Sequence, residues 1–85
     1  MITAAAIIHE GHILIGKHHC DCNRVAAILV RNGIGKFPVG GVSGFWTDDN
    51  RFLNRKDAAI HAIGCSQIEK LKYFKGELDS WDIFP

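Results

Sequence analysis

Apolar positions in this 85-residue chain fall in short runs broken by glycine, asparagine and aspartate, and the period inside the runs changes along the chain. Ala4–His9 and His12–Ile15 flank Glu10-Gly11. Two apolar runs around a two-residue loop that ends in glycine predict a β-hairpin. Ala5, Ile7, Ile13 and Ile15 are expected to share its buried face. Ile8 and Leu14 are apolar as well, so both faces are expected to be covered, one of them by a helix or another subunit. The spacing then lengthens. Val25, Ile28 and Leu29 sit at i, i+3 and i+4, the stripe of a helix over about Cys22–Arg31. Asp21 or Cys20 serves as its N-cap and Asn32-Gly33 as its stop.

Gly33 through Gly44 contains five glycines and Pro38, which predict a long Gly-rich loop. Gly35-Lys36 lacks the upstream glycine and the following Ser or Thr of a P-loop. Phe45-Trp46-Thr47 and Arg51-Phe52-Leu53 flank Asp48-Asp49-Asn50 and predict a second hairpin. Asn54 is placed to cap a second helix with Asp57 three residues on; Ala59, Ile60 and Ile63 are its expected inner face and Gly64 its end. Gln67–Phe74 reads as a short strand or helical turn. The tail, Leu78 to Pro85, carries apolar anchors expected to dock on the body or a neighbouring subunit. Together these elements predict an α+β fold: two short hairpins and two helices in one small compact domain over residues 1–85.

Composition narrows the function classes. Hydrophobic residues are 47% of the chain, enough to bury a core. A body this small is expected to be a homo-oligomer. The net charge of +1 argues against a duplex nucleic acid as partner. No apolar run is long enough for a membrane span, and Met1-Ile2-Thr3 lacks a signal peptide's charged start, so a cytoplasmic protein with no membrane partner is expected. Three cysteines, two of them only two residues apart, fit reduced thiols.

Candidate chemistry gathers at the two helix starts, whose free N–H groups and dipoles favour anions. The first carries Lys17-His18-His19-Cys20-Asp21-Cys22; the second carries Arg51, Asn54 and Arg55 behind Gly44-Phe45-Trp46. A zinc site is one reading of the first cluster, but Cys-x-Cys is a poor match to paired ligands, and no metal is assigned. A Cys22 nucleophile beside His18 or His19 has no third orienting group. Partly buried thiols and surface imidazoles are the simpler account. For the second cluster the simpler account is solvated arginines paired with Asp48, Asp49 or Asp57, and core packing for at least two of Phe45, Trp46 and Phe52. The functional reading is an anion clamp, with Lys17, His19, Arg51 and Arg55 on phosphates, Asn54 on a base edge and Phe45 or Trp46 stacking. No catalytic residue and no cofactor is assigned.

Two resemblances bear on this reading. Ala5-Ala6-Ile7-Ile8…Gly11…Ile13-Leu14-Ile15-Gly16 with Phe37-Pro38…Gly40-Gly41 resembles the opening of a Nudix hydrolase. The metal-binding glutamates of that family's helix have no counterpart in Arg55–Gly64, so an active Nudix enzyme is not expected. More of the chain is similar to a group of small phage and prophage proteins. Those carry a Gly-Lys-Arg-His-His-Asp-Cys motif, then Gly-Phe, then Gly-Arg-Phe-x-Asp/Asn-Arg. The matching positions are Gly16, Lys17, His19, Asp21, Cys22, Gly44, Phe45, Arg51, Phe52, Asn54 and Arg55; Cys20 and Asn50 depart from the pattern, and Gly33–Ser43 looks like an insertion. The resemblance implies a phage origin. The expected function is an accessory protein that counters host defence by sequestering a small nucleotide, such as a cyclic nucleotide signal. One alternative is an inhibitor that blocks a host or CRISPR-type complex through Trp81 and Phe84. The other is a small nucleotide hydrolase using His19.

Overall fold

The chain was studied as a computed structural model, which describes residues 1–36 and 42–85. The middle of the Gly-rich loop, with the Phe37-Pro38…Gly40-Gly41 stretch, lies outside the described residues. The first hairpin pairs β1 (Ile2–His9) with β2 (His12–Gly16) through Glu10-Gly11. Both turn residues have positive φ, 48° and 78°, the requirement of a type I′ turn that glycine meets at its second position. That turn dictates the register: His9↔His12, Ile8↔Ile13 and Ile7↔Leu14.

A two-residue loop pairs odd positions of one strand with even positions of the other. Ala5 and Ile7 therefore share a face with Leu14 and Gly16. Ile13 and Ile15 join Ala6 and Ile8 on the opposite face, against the expectation that they would sit with Ala5 and Ile7. The second hairpin, β3 (Val42–Thr47) with β4 (Phe52–Asn54), adds to the free edge of β1. The result is one antiparallel sheet in the order β2-β1-β3-β4. Ala5 pairs with Phe45 and Phe45 with Leu53, so these side chains share the inward face. A bulge between Ile2 and Ala4 shifts the alternation and turns Ile2 inward opposite Thr47.

Two longer helices pack on this inward face. α1 (His19–Arg31) lies against β1 and β2, and α2 (Arg55–Gly64) against β3 and β4. α1 begins earlier than the sequence suggests. Asp21 acts from the third helical position, where its carboxylate accepts from the backbone N–H of His18 at 3.0 Å, and His18 is the N-cap. α2 starts as predicted: Asn54 Oδ1 accepts from the N–H of Asp57 at 2.8 Å. The buried faces differ from the expected stripes. In α1 it is Cys22 and Ala26 that meet the sheet while Val25 and Ile28 are exposed; in α2 it is Ala58, Ala59 and Ala62, with Ile60 and Ile63 outside. Small side chains let the helix axes approach the strands closely, near enough for the Cys22 thiol to reach the carbonyl of Ala5.

Residues 65–79 contain no strand and no helix, so Gln67–Phe74 is irregular. The segment is nonetheless tied down. The side-chain amide of Gln67 bonds both backbone groups of Ile2 at 2.7 Å, as a neighbouring strand would. Beyond it, α3 (Ser80–Ile83) is a single turn capped by Asp79, and Asp82 accepts the backbone N–H groups of Asp79 and Lys72. The tail docks through Leu78, wholly buried in the core with Phe45 and Ala59, and through Ile83, packed against it. No helix among the described residues is long and apolar enough to cross a membrane, and all three cysteines are free.

Gly44 tests how tightly β3 and β4 meet. A Cβ there would lie 2.6 Å from the Phe52 ring and closer still to the Leu53 carbonyl oxygen. Gly44→Ala is expected to cost about 1–3 kcal/mol in a urea titration. Gly64→Ala, with open space around it, is expected to leave the midpoint unchanged or raise it. Equal midpoints for Gly44→Ala and the wild type would contradict the register.

Candidate functional site

The two helix starts do converge. His19, first residue of α1, reaches the carbonyl of Gly44 with Nε2 at 2.7 Å. A carbonyl can only accept, so Nε2 donates and Nδ1 keeps its lone pair. Burial lowers the His19 pKa below its ordinary 6.5, and the charge of Arg55 lowers it further, against the opposing effects of the Gly44 carbonyl and Asp79. Arg55, first residue of α2, donates through Nε to Ser43 Oγ at 2.9 Å and through Nη1 to the Leu78 carbonyl at 3.1 Å. Strand residues Ser43 and Gly44 thus connect the two helix starts.

The tail crosses at the same place. Leu78 returns its own N–H to the Arg55 carbonyl at 3.0 Å, and Asp79 lies 3.9 Å from the Arg55 guanidinium. One residue on, Ser80 Oγ lies 3.1 Å from Nδ1 of the buried His18, whose ring stacks on Trp81 at a centroid separation of 3.9 Å. The anion that sits near both helix starts in this structure is therefore the chain's own Asp79. His18 is the socket of the tail.

The other sequence-predicted residues are dispersed. Phe45 is wholly buried, edge-on to His19 at 5.0 Å, and offers no face for stacking. Trp46, next along β3, lies on the opposite side of the sheet with its partner Phe52. Arg51 belongs to the β3–β4 turn and pairs with Asp49 at 2.7 Å, and hydrogen bonds from Thr47 and Arg51 hold that carboxyl below its usual range. Asn54 is engaged in capping α2, and Lys17 is exposed beyond the end of β2. Of the expected set, His19 and Arg55 come together around Ser43-Gly44. Burial and the neighbouring Asp21 push the Cys22 thiol pKa up, away from the thiolate that a nucleophile needs.

Of the cavities that border Arg55 or the loop before the tail, one is lined by Ser43, Asn54, Arg55, Lys56 and Glu77 among others, and two beside it share Phe74. One of these two, of about 360 Å³, is lined by Ser43, Arg55, Phe74, Glu77 and Asp79. The other, of about 500 Å³, is lined by Lys70, Lys72, Tyr73, Phe74 and Lys75 among others. Phe74 belongs to both and is 55% exposed. Charge is sorted between them. The larger trough has three lysines against Glu69; the smaller cleft sets Arg55 against Glu77 and Asp79. Sequence reasoning passed over this loop, although Lys70-Leu71-Lys72-Tyr73-Phe74-Lys75 interleaves cations with aromatics in plain view.

With that geometry in place, comparison with known sequences adds one finding. The profile of the family described as phage T4 y16D protein matches residues 1–84. Searches of curated proteins and of solved structures found no match.

The depressed pKa of His19 fixes a sign. The folded state holds this proton less tightly than the unfolded chain, so the stability it contributes is complete above about pH 6.5 and falls as the pH drops below that value. Histidine NMR titration is expected to place the His19 midpoint under 6.5, and His19→Gln is expected to flatten part of the acid-side decline in melting temperature. A midpoint at or above 6.5 would contradict the burial described.

Proposed function

This chain belongs to the phage T4 y16D protein family, and on that footing we propose that it is a phage accessory protein that binds and sequesters a small nucleotide-like ligand. The supporting observation is Phe74, an exposed ring that forms a wall shared by a lysine-lined trough and a cleft of hydrogen-bonding groups. A nucleotide divides in the same way. Its base stacks on Phe74, its phosphates lie along Lys70, Lys72 and Lys75, and its base or sugar edge turns toward Ser43, Arg55, Glu77 and Asp79. The acidic pair makes the small cleft a poor seat for phosphate and a good acceptor for exocyclic amino groups. The phosphate contacts therefore shift from Lys17 and Arg51, neither of which lines the cavities at Phe74, to the lysines of the loop.

For a phage, the use of such a site is to withdraw a nucleotide signal of host defence, a cyclic nucleotide in the first instance. A hydrolase reading rests on one observation, the unprotonated Nδ1 of a neutral His19 beside Arg55. Both readings answer to one experiment. The protein is incubated with a panel of mono-, di- and cyclic nucleotides, desalted and heat-denatured, and the released material is chromatographed.

Recovery of an intact nucleotide is expected. Phe74→Ala is expected to lose about 10-fold or more in affinity, as removal of one stacking partner does, and Lys72→Glu to lose affinity in a salt-dependent way. Neither exposed side chain should change the melting temperature by more than a degree or two. Arg55→Ala is a poorer probe, because it also releases Leu78 and Asp79. Altered nucleotides would establish turnover instead, and nothing retained from the panel would overturn the proposal.

A further inference from the structure

All three helices pack on one side of the sheet, and every strand residue of the core cluster points to that side. The opposite side is built from Ile8, Ile13, Ile15, Val42, Trp46 and Phe52, with Ala4, Ala6 and Gly44 between them and Asn54, which caps α2, at the β4 edge. Ile13 is 46% exposed, Ile15 55% and Val42 58%. No position that faces this way from the four strands carries a charge. Antiparallel sheets with one wet face alternate apolar and polar residues; here the face away from the helices is apolar except for Asn54 at its edge.

We infer that this open face is the interface of a homodimer, in which two copies stack sheet on sheet about a two-fold axis. Three arguments favour a second copy as occupant. Four strands about 4.8 Å apart, with five or so residues each at about 3.3 Å, give a flat footprint of roughly 350 Å². Side-chain relief and the rim enlarge that, so two copies together reach the roughly 1,000 Å² that a specific interface needs. An apolar patch this size matches the largest that a typical monomer leaves in water, and such patches often mark interaction sites. The absence of charge also matters: a two-fold axis brings like residues of the two copies near one another, and here no like charges meet.

A nucleic acid or a charged peptide would find nothing on this face to pair with. Two twisted sheets stacked about 10 Å apart, their strands crossing at about 30°, interdigitate branched side chains of this kind. The cleft at Phe74 lies among the loop and tail on the helix side, so dimerisation leaves it open, and this inference stands whether or not a nucleotide binds there.

Sedimentation velocity on the whole chain tests it. The wild type is expected at twice its 9.4 kDa at a loading of about 100 µM, which populates any dimer with a micromolar dissociation constant. Ile15→Glu and Val42→Glu are each expected to raise that constant about 100-fold or more, since each would bury an unpaired carboxylate. Both should retain the wild-type circular dichroism spectrum, because neither side chain belongs to the core. Ile60→Glu, on the outer side of α2 and 72% exposed, is the control and should stay dimeric. A wild-type monomer at that loading would overturn the inference. So would an assembly that survives both sheet-face substitutions.

Discussion

Arg55 and Leu78 exchange hydrogen bonds in both directions, backbone N–H to backbone carbonyl one way and guanidinium to carbonyl the other. These residues are far apart in sequence, and what lies around them depends on the exchange. It seats the Leu78 side chain in the core, sets Asp79 beside the first residues of both α1 and α2, and delivers Ser80 to His18. It also fixes one end of the irregular segment that Gln67 fixes at the other, by bonding the start of β1. Phe74 and its lysines are thereby held as a loop tethered at both ends, although no regular structure supports them.

The same economy of size explains why the helices cover only one side. A chain of 85 residues has material for two helices of useful length, and both lie on the face that carries Phe45. Their contact residues are alanine and cysteine, so the sheet approaches closely and the inward layer is thin. The larger aliphatic residues Val25, Ile28, Ile60 and Ile63 are left for the outer surfaces of the helices, and Ile13, Ile15 and Val42 for the far side of the sheet. In most small domains that far side would be polar. Its uncharged and largely apolar character here is a property of the sequence that folding of one copy leaves unsatisfied.

Much of the fold was legible from local chemistry. The two-residue Glu10-Gly11 loop, the Asn54 cap with Asp57 and the docking apolar tail each depend on near neighbours or on composition. What could not be read depends on parity and distance. Ile13 and Ile15 lie on the face away from Ala5 because a two-residue turn pairs odd positions of one strand with even positions of the other. The helix faces were expected at Val25, Ile28 and Leu29 and at Ala59, Ile60 and Ile63; of these Ala59 is buried, and close packing otherwise selected Cys22, Ala26, Ala58 and Ala62. Of the residues expected to act together, Arg55 and His19 do meet around Gly44; the Asn54 cap announces the first of them, whereas the start of α1 lies ahead of the capping residues the sequence suggests. Phe74 was missed because its neighbour in space, Arg55, is brought to it by the crossing at Leu78, which no local pattern announces.

The most direct test of the nucleotide reading is a chemical-shift titration of the labelled protein with the nucleotide recovered from the panel. Amide perturbations are expected in one contiguous set, from Lys70 through Glu77 and on to Ser43, together with the Arg55 Nε–H resonance. The resonances of Trp46, Arg51 and the open sheet face should stay still. Perturbations centred on Trp46 and Arg51, with Phe74 and its lysines unmoved, would contradict the assignment of the site.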